Sequence, residues 1–152
     1  MGFKHLFKAE VKWESNENEE KRNPKDHEII IEGKPVLSIS AAKAFKGNPK
    51  LYNPEDMLLS SLVSCHMMSY FYVCSQNGVE VLAYSDRAEA TLEVEFNGSG
   101  RFTEVRLNPK VTIANPDKIQ LALELHKKAN ELCFIANSCN FPVLHNATCE
   151  VV

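Results

Sequence analysis

The spacing of apolar residues changes period several times along the chain. "FKHLFKAEVKW", residues 3–13, reads as a strand, and "ESNENEEKRNPKDHE" follows it with no apolar residue between Trp13 and Ile29, so an exposed loop is expected there. "HEIIIEGKPVLSIS" places two short β-branched segments on either side of Glu32-Gly33-Lys34, which is a hairpin signal. From residue 53 the period lengthens. Leu58, Ser61, Leu62, Cys65, Met68, Ser69 and Tyr72 recur at spacings of three and four, predicting an amphipathic helix of roughly 23 residues, about 35 Å long, with Cys65 on its buried stripe. Asn53 is a good N-cap, Pro54 suits the first helical position, Glu55 and Asp56 complement the helix dipole, and "SQNG" ends the helix at a glycine.

Alternation returns at "AEATLEVEF", and "NGSG" turns the chain into "RFTEVRLNPKVTI", which predicts a long antiparallel hairpin with one wet face. A second long helix is expected from Pro116, with Ile119, Leu121, Ala122, Leu125, Ala129, Leu132 and Cys133 broadly in register, and "FPVLHNATCEVV" closes as a strand. The order β, ββ, α, ββ, α, β keeps hairpins and helices apart, so the expected class is α+β. At 152 residues the chain is expected to form a single domain across 1–152.

Composition narrows the function classes. A net charge of −3 offers no general attraction for nucleic acid or an anionic membrane. "MGFKHLFKAEVKWES" lacks the apolar core of a signal peptide, and no uninterrupted apolar run approaches the roughly 18 residues of a span, so a cytoplasmic protein with no nucleic-acid or membrane partner is expected. Five cysteines, at 65, 74, 133, 139 and 149, suit a reducing compartment better than a disulfide scaffold.

Each thiol has a plain reading as a small core residue. That reading serves Cys74, on the opposite side of the helix from Cys65, and Cys149, which alternates with Ala147 and Val151. Cys65 and Cys133 differ, because each sits on the inward stripe of one of only two long helices. If those helices face each other the thiols could meet as a redox pair, with Cys139 as a rival partner. Zinc is disfavoured: Cys65, His66, His126, Cys133, Cys139 and His145 are soft ligands, but no C-x-x-C or H-x-x-x-H spacing is present. His66 is read as facing solvent or a partner chain, against the alternative of a cation that lowers the Cys65 pKa.

"NPEDMLLSSLVSCHMMSYF" resembles the N-P-E-x-L-(x)-A-x-x-x-C helix of the OsmC/Ohr thiol peroxidases, with Asn53, Pro54, Glu55 and Cys65 in the family's spacing. "HKKANELCFIANSCNFPV" resembles the family's second helix, in which a histidine precedes the second redox cysteine. The resemblance extends to "DHEIIIEGKP" and "GRFTEVRLNPKV", and is closest to a branch with "CHM" and "CFIANS" at the two cysteines.

That resemblance implies an intertwined homodimer built from antiparallel sheets around two long central helices. It also implies peroxidase activity on small-molecule hydroperoxides, organic ones in the Ohr branch, in oxidative stress defence. By position, Cys65 would be the peroxidatic cysteine and Cys133 the resolving one, with an external dithiol restoring both and no cofactor involved. Glu55 would be the carboxylate that orients an activating arginine. The only arginine before the first helix is Arg22, with Lys25 and Lys46 as fallback cations, and Phe134 follows Cys133 where better characterised branches have proline. Glu55 and Cys65 are ten residues apart on one helix, about 15 Å along its axis and some 80° around it, so the catalytic reading needs a second subunit to supply Glu55. A noncatalytic dimeric binding module with structural cysteines is the alternative.

Overall fold

A computed structural model describes residues 2–15 and 23–152. The chain divides into two compact units, Met1–Leu58 and Leu59–Val152, the division falling inside its longest helix.

The first unit holds an antiparallel three-stranded sheet of β1 (Glu10–Lys12), β2 (His27–Ile30) and β3 (Leu37–Ile39), in that spatial order. The strand expected over 3–13 is confined to Glu10–Lys12, where partners exist: Glu10 faces Ile30 and Lys12 faces Glu28. The hairpin centred on Glu32-Gly33-Lys34 forms, with Gly33 in the left-handed region at φ 77°. After β3 the backbone folds tightly: Gly47 N–H donates to Ala42 O, and a Cβ at Gly47 would lie 1.7 Å from Ala41 O, so only glycine fits.

Helix α1 (Pro54–Gln76) starts where its cap residues place it. Asn53 Oδ1 accepts from Asp56 N–H at 2.8 Å while Asp56 Oδ2 accepts from Asn53 N–H at 3.3 Å, a reciprocal cap that satisfies two backbone donors. Asn53→Ala is expected to lower stability by about 1 kcal/mol, read as a lower urea midpoint with unchanged slope. At the other end Gly78, at φ 62°, lets Val79 N–H reach back to Cys74 O at 2.9 Å. Over 18 residues α1 has a mean hydropathy of 1.3, enough by length and composition to cross a membrane. Leu62, His66, Tyr70, Val73 and Cys74 are nevertheless packed inside the chain, as in a core helix.

The second unit contains two three-stranded sheets. One has the order β4 (Val81–Asp86), β7 (Pro109–Ile113), β9 (Thr148–Val151); the other has β5 (Glu89–Val94), β6 (Gly100–Leu107), β8 (Val143–His145). The expected hairpin is present as β5 and β6, turning at Gly98 with φ 85°. Two expectations are corrected. "RFTEVRLNPKVTI" is two strands in different sheets, because Asn108 bends the chain: its N–H donates to Asp86 Oδ1 at 2.7 Å and its side-chain amide to Arg87 O at 2.8 Å. "FPVLHNATCEVV" likewise splits into β8 and β9, with Asn146 N–H donating to Leu107 O between them. The pairings β6–β8 and β7–β9 are parallel, so both sheets are mixed.

The second helix is also divided. A 3₁₀ turn at Pro116–Lys118 leads into α2 (Ile119–Leu132), and the chain becomes extended at Cys133 before the short α3 (Phe134–Asn137). Tyr70, Val73, Cys74, Ala122, Leu125 and Ala129 from α1 and α2 bury Val111 and Ile113 of β7. Leu62 is wholly buried with Val105 and Leu107 of β6. Burial of one such leucine or valine side chain contributes about 1.5–3 kcal/mol.

Candidate active site

Cys65 and Cys133 meet. The break between α2 and α3 places the Cys133 sulfur at the start of α3, where it accepts from Ala136 N–H at 3.4 Å and interacts with the neighbouring Cys65 thiol. Cys133 is 1% exposed, and Cys65 is half-buried. Burial, reinforced by the Cys65 thiol, raises the Cys133 pKa above the ordinary thiol value, against the partial counter-effect of the Ala136 and Ile135 amides. Cys133 is therefore held as a neutral thiol at neutral pH.

Cys65 opens onto a pocket of about 460 Å³ lined by Met68, Ser69, Tyr72, Leu132 and Phe134. Phe134 is 82% exposed, so the position expected from the family to carry proline instead supplies an aromatic wall. This corrects the assignment of faces on α1. The helix is apolar on two sides, and the side packed into the core is Leu62, His66, Tyr70, Val73 and Cys74, while Cys65, Met68, Ser69 and Tyr72 line the open pocket. Polar atoms decide the choice: His66 and Tyr70 find partners inside, since His66 Nε2 lies 3.0 Å from His126 Nδ1 and Tyr70 Oη donates to Ala122 O at 2.9 Å.

His66 therefore does not face solvent or a partner chain. It is 1% exposed and stacked with His126 at a centroid distance of 5.3 Å and with His145 at 5.8 Å; Tyr70 also stacks on His126, at 3.9 Å. Burial, with the neighbouring His145, lowers the His66 pKa to about 4. Burial and the other two imidazoles lower that of His126 to about 3, and burial also lowers that of His145. All three are neutral at pH 7, so His66 is no cation for Cys65. Among the described residues no three His, Cys, Asp or Glu side chains converge as metal ligands. The available sequence signal for this cluster was His66 and His126 at helical spacing on the inner stripes of both helices.

The remaining expected site residues are placed as follows. Glu55 sits in the first turn of α1, and its Oε2 is buried without a hydrogen-bond partner among the described residues. Arg22 lies outside the described residues. The Lys25 ammonium donates to Phe45 O, and Lys46 is exposed. Cys139 is set apart from the thiol pair by its packing, with its thiol donating to Ile135 O at 3.2 Å and its side chain against the Leu62 core. Cys74 and Cys149 belong to the other core.

The chain is similar to known proteins in sequence and in fold. An uncharacterized protein of Bacillus subtilis, YmaD, is 26% identical over 137 residues, covering 88% of this chain and 86% of its own. An OsmC-like protein of unknown function from Vibrio cholerae superimposes with a TM-score of 0.84 at 25% identity, over 95% of this chain and 99% of that one. An organic hydroperoxide resistance protein from Elizabethkingia anophelis, at 16% identity, has the same fold with a TM-score of 0.73 over the full length of both. The pattern of the family described as OsmC-like protein matches residues 47–146, which include both helices, the thiol pair and all but the last strand of the two mixed sheets, and on that match the chain belongs to the OsmC-like family.

Proposed function

We propose that the protein is a cysteine-based peroxidase that reduces organic hydroperoxides in oxidative stress defence. The observation that carries this reading is the Cys65–Cys133 thiol contact at the wall of an apolar pocket. The Cys65 thiolate attacks one peroxide oxygen, the O–O bond breaks, and the departing alkoxide takes a proton to leave as alcohol. Cys65 becomes a sulfenic acid. The Cys133 sulfur displaces water from it to form a disulfide, and exchange with an external dithiol returns both thiols. This cycle uses no cofactor.

The division of labour follows from exposure: Cys65 faces the pocket, whereas Cys133 is buried and held protonated until its partner is oxidised. Glu55 and Arg22 form the proposed charge pair, the unpartnered Glu55 oxygen being the group that a guanidinium would satisfy. Ten residues of helix separate Glu55 from Cys65, so the partner subunit's Glu55 serves this chain's Cys65 in a homodimer. Apolar surface outside the pocket supports a second copy: Phe71 of α1 is 40% exposed, and Val11 and Trp13 are 64% and 56% exposed. The whole chain acts as one functional domain in the cytoplasm.

Mass spectrometry after one equivalent of cumene hydroperoxide tests the reading. A Cys65–Cys133 disulfide is expected; five intact thiols would instead favour a noncatalytic dimeric binder whose cysteines are structural.

A further inference from the structure

A second sulfur lines the same pocket as Cys65. Met68 lies one helical turn further along α1, beside Ser69, Tyr72, Leu132 and Phe134, and is 58% exposed. Met57 and Met67 are on the same helix, half-buried, and do not line that pocket. The three methionines thus share a sequence neighbourhood and differ in what reaches them.

We propose that Met68 is an oxidative modification site: a hydroperoxide held in the pocket converts its thioether to the sulfoxide, and the sulfoxide then reduces the affinity of the pocket for apolar substrate. The proposal rests on the peroxidase reading of Cys65. Chemically, a sulfur lone pair attacks the terminal peroxide oxygen, the O–O bond breaks, an S–O bond forms, and the hydroxyl proton of the peroxide passes to the departing alkoxide. Sulfur loses two electrons and the hydroperoxide becomes an alcohol, so the step needs no further reactant.

Thiolate chemistry is much the faster of the two, so Met68 is spared while Cys65 is being recycled. It is exposed to intact peroxide when the external dithiol runs short and Cys65 stands oxidised. The change then falls where the pocket is apolar. A flexible, polarizable side chain becomes a polar one with a strong acceptor oxygen in a mostly apolar lining, where Leu132 and Phe134 offer it no donor and hydroxyls come from Ser69 and Tyr72 alone. Organic hydroperoxides lose their apolar contact surface, whereas hydrogen peroxide, which uses none of it, is little affected. The modification therefore narrows the enzyme toward small peroxides when reductant fails, and a methionine sulfoxide reductase reverses it.

Two measurements on the full chain decide the matter. In Cys65→Ser treated with cumene hydroperoxide, peptide mass mapping is expected to show Met68 gaining one oxygen at least about fivefold faster than Met57 or Met67, with a smaller preference when hydrogen peroxide is the oxidant. In the second, wild type is oxidised and its thiols are restored with dithiothreitol, which leaves sulfoxide in place. Its KM for cumene hydroperoxide should then rise about tenfold while activity toward hydrogen peroxide changes less than about twofold, and the same treatment should not move the KM of Met68→Leu. Met68 oxidised no faster than Met67, or an unchanged wild-type KM with Met68 fully oxidised, would overturn the proposal. If Cys65 itself stays a thiol under cumene hydroperoxide, it is the peroxidase reading that fails, which separates the two.

Discussion

Cys65→Ser is expected to slow organic hydroperoxide consumption by roughly 10³-fold or more, measured as loss of cumene hydroperoxide in the presence of dithiothreitol. A serine hydroxyl fills nearly the same space, so the fold and the pocket walls stay as they are, but its pKa lies far above that of a thiol and it supplies no nucleophile at neutral pH. Cys133→Ser separates the two sulfurs. It should consume about one equivalent of peroxide per chain in the absence of reductant and leave Cys65 as a sulfenic acid that dimedone traps. Equal activity in wild type and Cys65→Ser would remove Cys65 from the chemistry, and a Cys133→Ser variant that forms no trappable sulfenic acid would reverse the proposed roles.

The second large effect is on stability in acid. His66 and His126 are buried as neutral rings with pKa values near 4 and 3, against about 6.5 when the chain is unfolded. Above about pH 7.5 neither state binds these protons appreciably, and the two histidines leave stability unchanged with pH. As pH falls below 6.5 the unfolded chain takes up protons that the folded chain refuses, so stability drops, and the loss continues until the folded pKa values are reached. Two such groups give a slope approaching about 2.7 kcal/mol per pH unit, and the accumulated loss between pH 6.5 and 4 is of the order of 5 kcal/mol. Urea midpoints at successive pH values should show this decline. In the double variant His66→Phe, His126→Phe, which removes both titrations and leaves neither ring nitrogen without its partner, the slope over that range should be much flatter. A wild-type midpoint that holds steady from pH 6.5 to 4.5 would show that the imidazoles are not buried neutral.

The ends of α1 were legible because single residues carry them: Asn53 and Asp56 cap one end, and Gly78 supplies the left-handed turn at the other. The hairpin turns at Gly33 and Gly98 were legible for the same reason. Which face of α1 points inward was not, because apolar residues recur at three-and-four spacing on both faces, and periodicity alone does not rank two equivalent stripes. The deciding interactions are between residues distant in the chain: His66 with His126, and Tyr70 with Ala122 O. The end of α2 at Cys133 has no glycine or proline to announce it; the Cys133 N–H donates to Asn130 O there, and the thiol caps the start of α3. The strand β4 was hidden for another reason, since "VLAY" is a continuous apolar run whose length suits a buried strand but whose period does not identify one. The Cys65–Cys133 pair was anticipated from two inward stripes; the structure brings the thiols together with Cys65 on the opposite stripe and Cys133 in the helix break.

The chain crosses between the two mixed sheets four times, directly at Arg87, Asn108 and Asn146 and through α2 between β7 and β8, so β4–β5, β6–β7 and β8–β9 each contribute one strand to both. Neither sheet can therefore mature before the other. β6 and β7 each keep one bare hydrogen-bonding edge until Val143–Val151 arrives to pair with them in parallel, across about 40 residues of intervening chain that include α2. During synthesis those edges stay open through the emergence of every other element. The ladder that closes them is non-local, which is the slow kind of contact to form. Until then a nascent chain is open to pairing with its neighbours through β6 and β7, so β8 and β9, which line no part of the Cys65 pocket, govern how safely the protein is made.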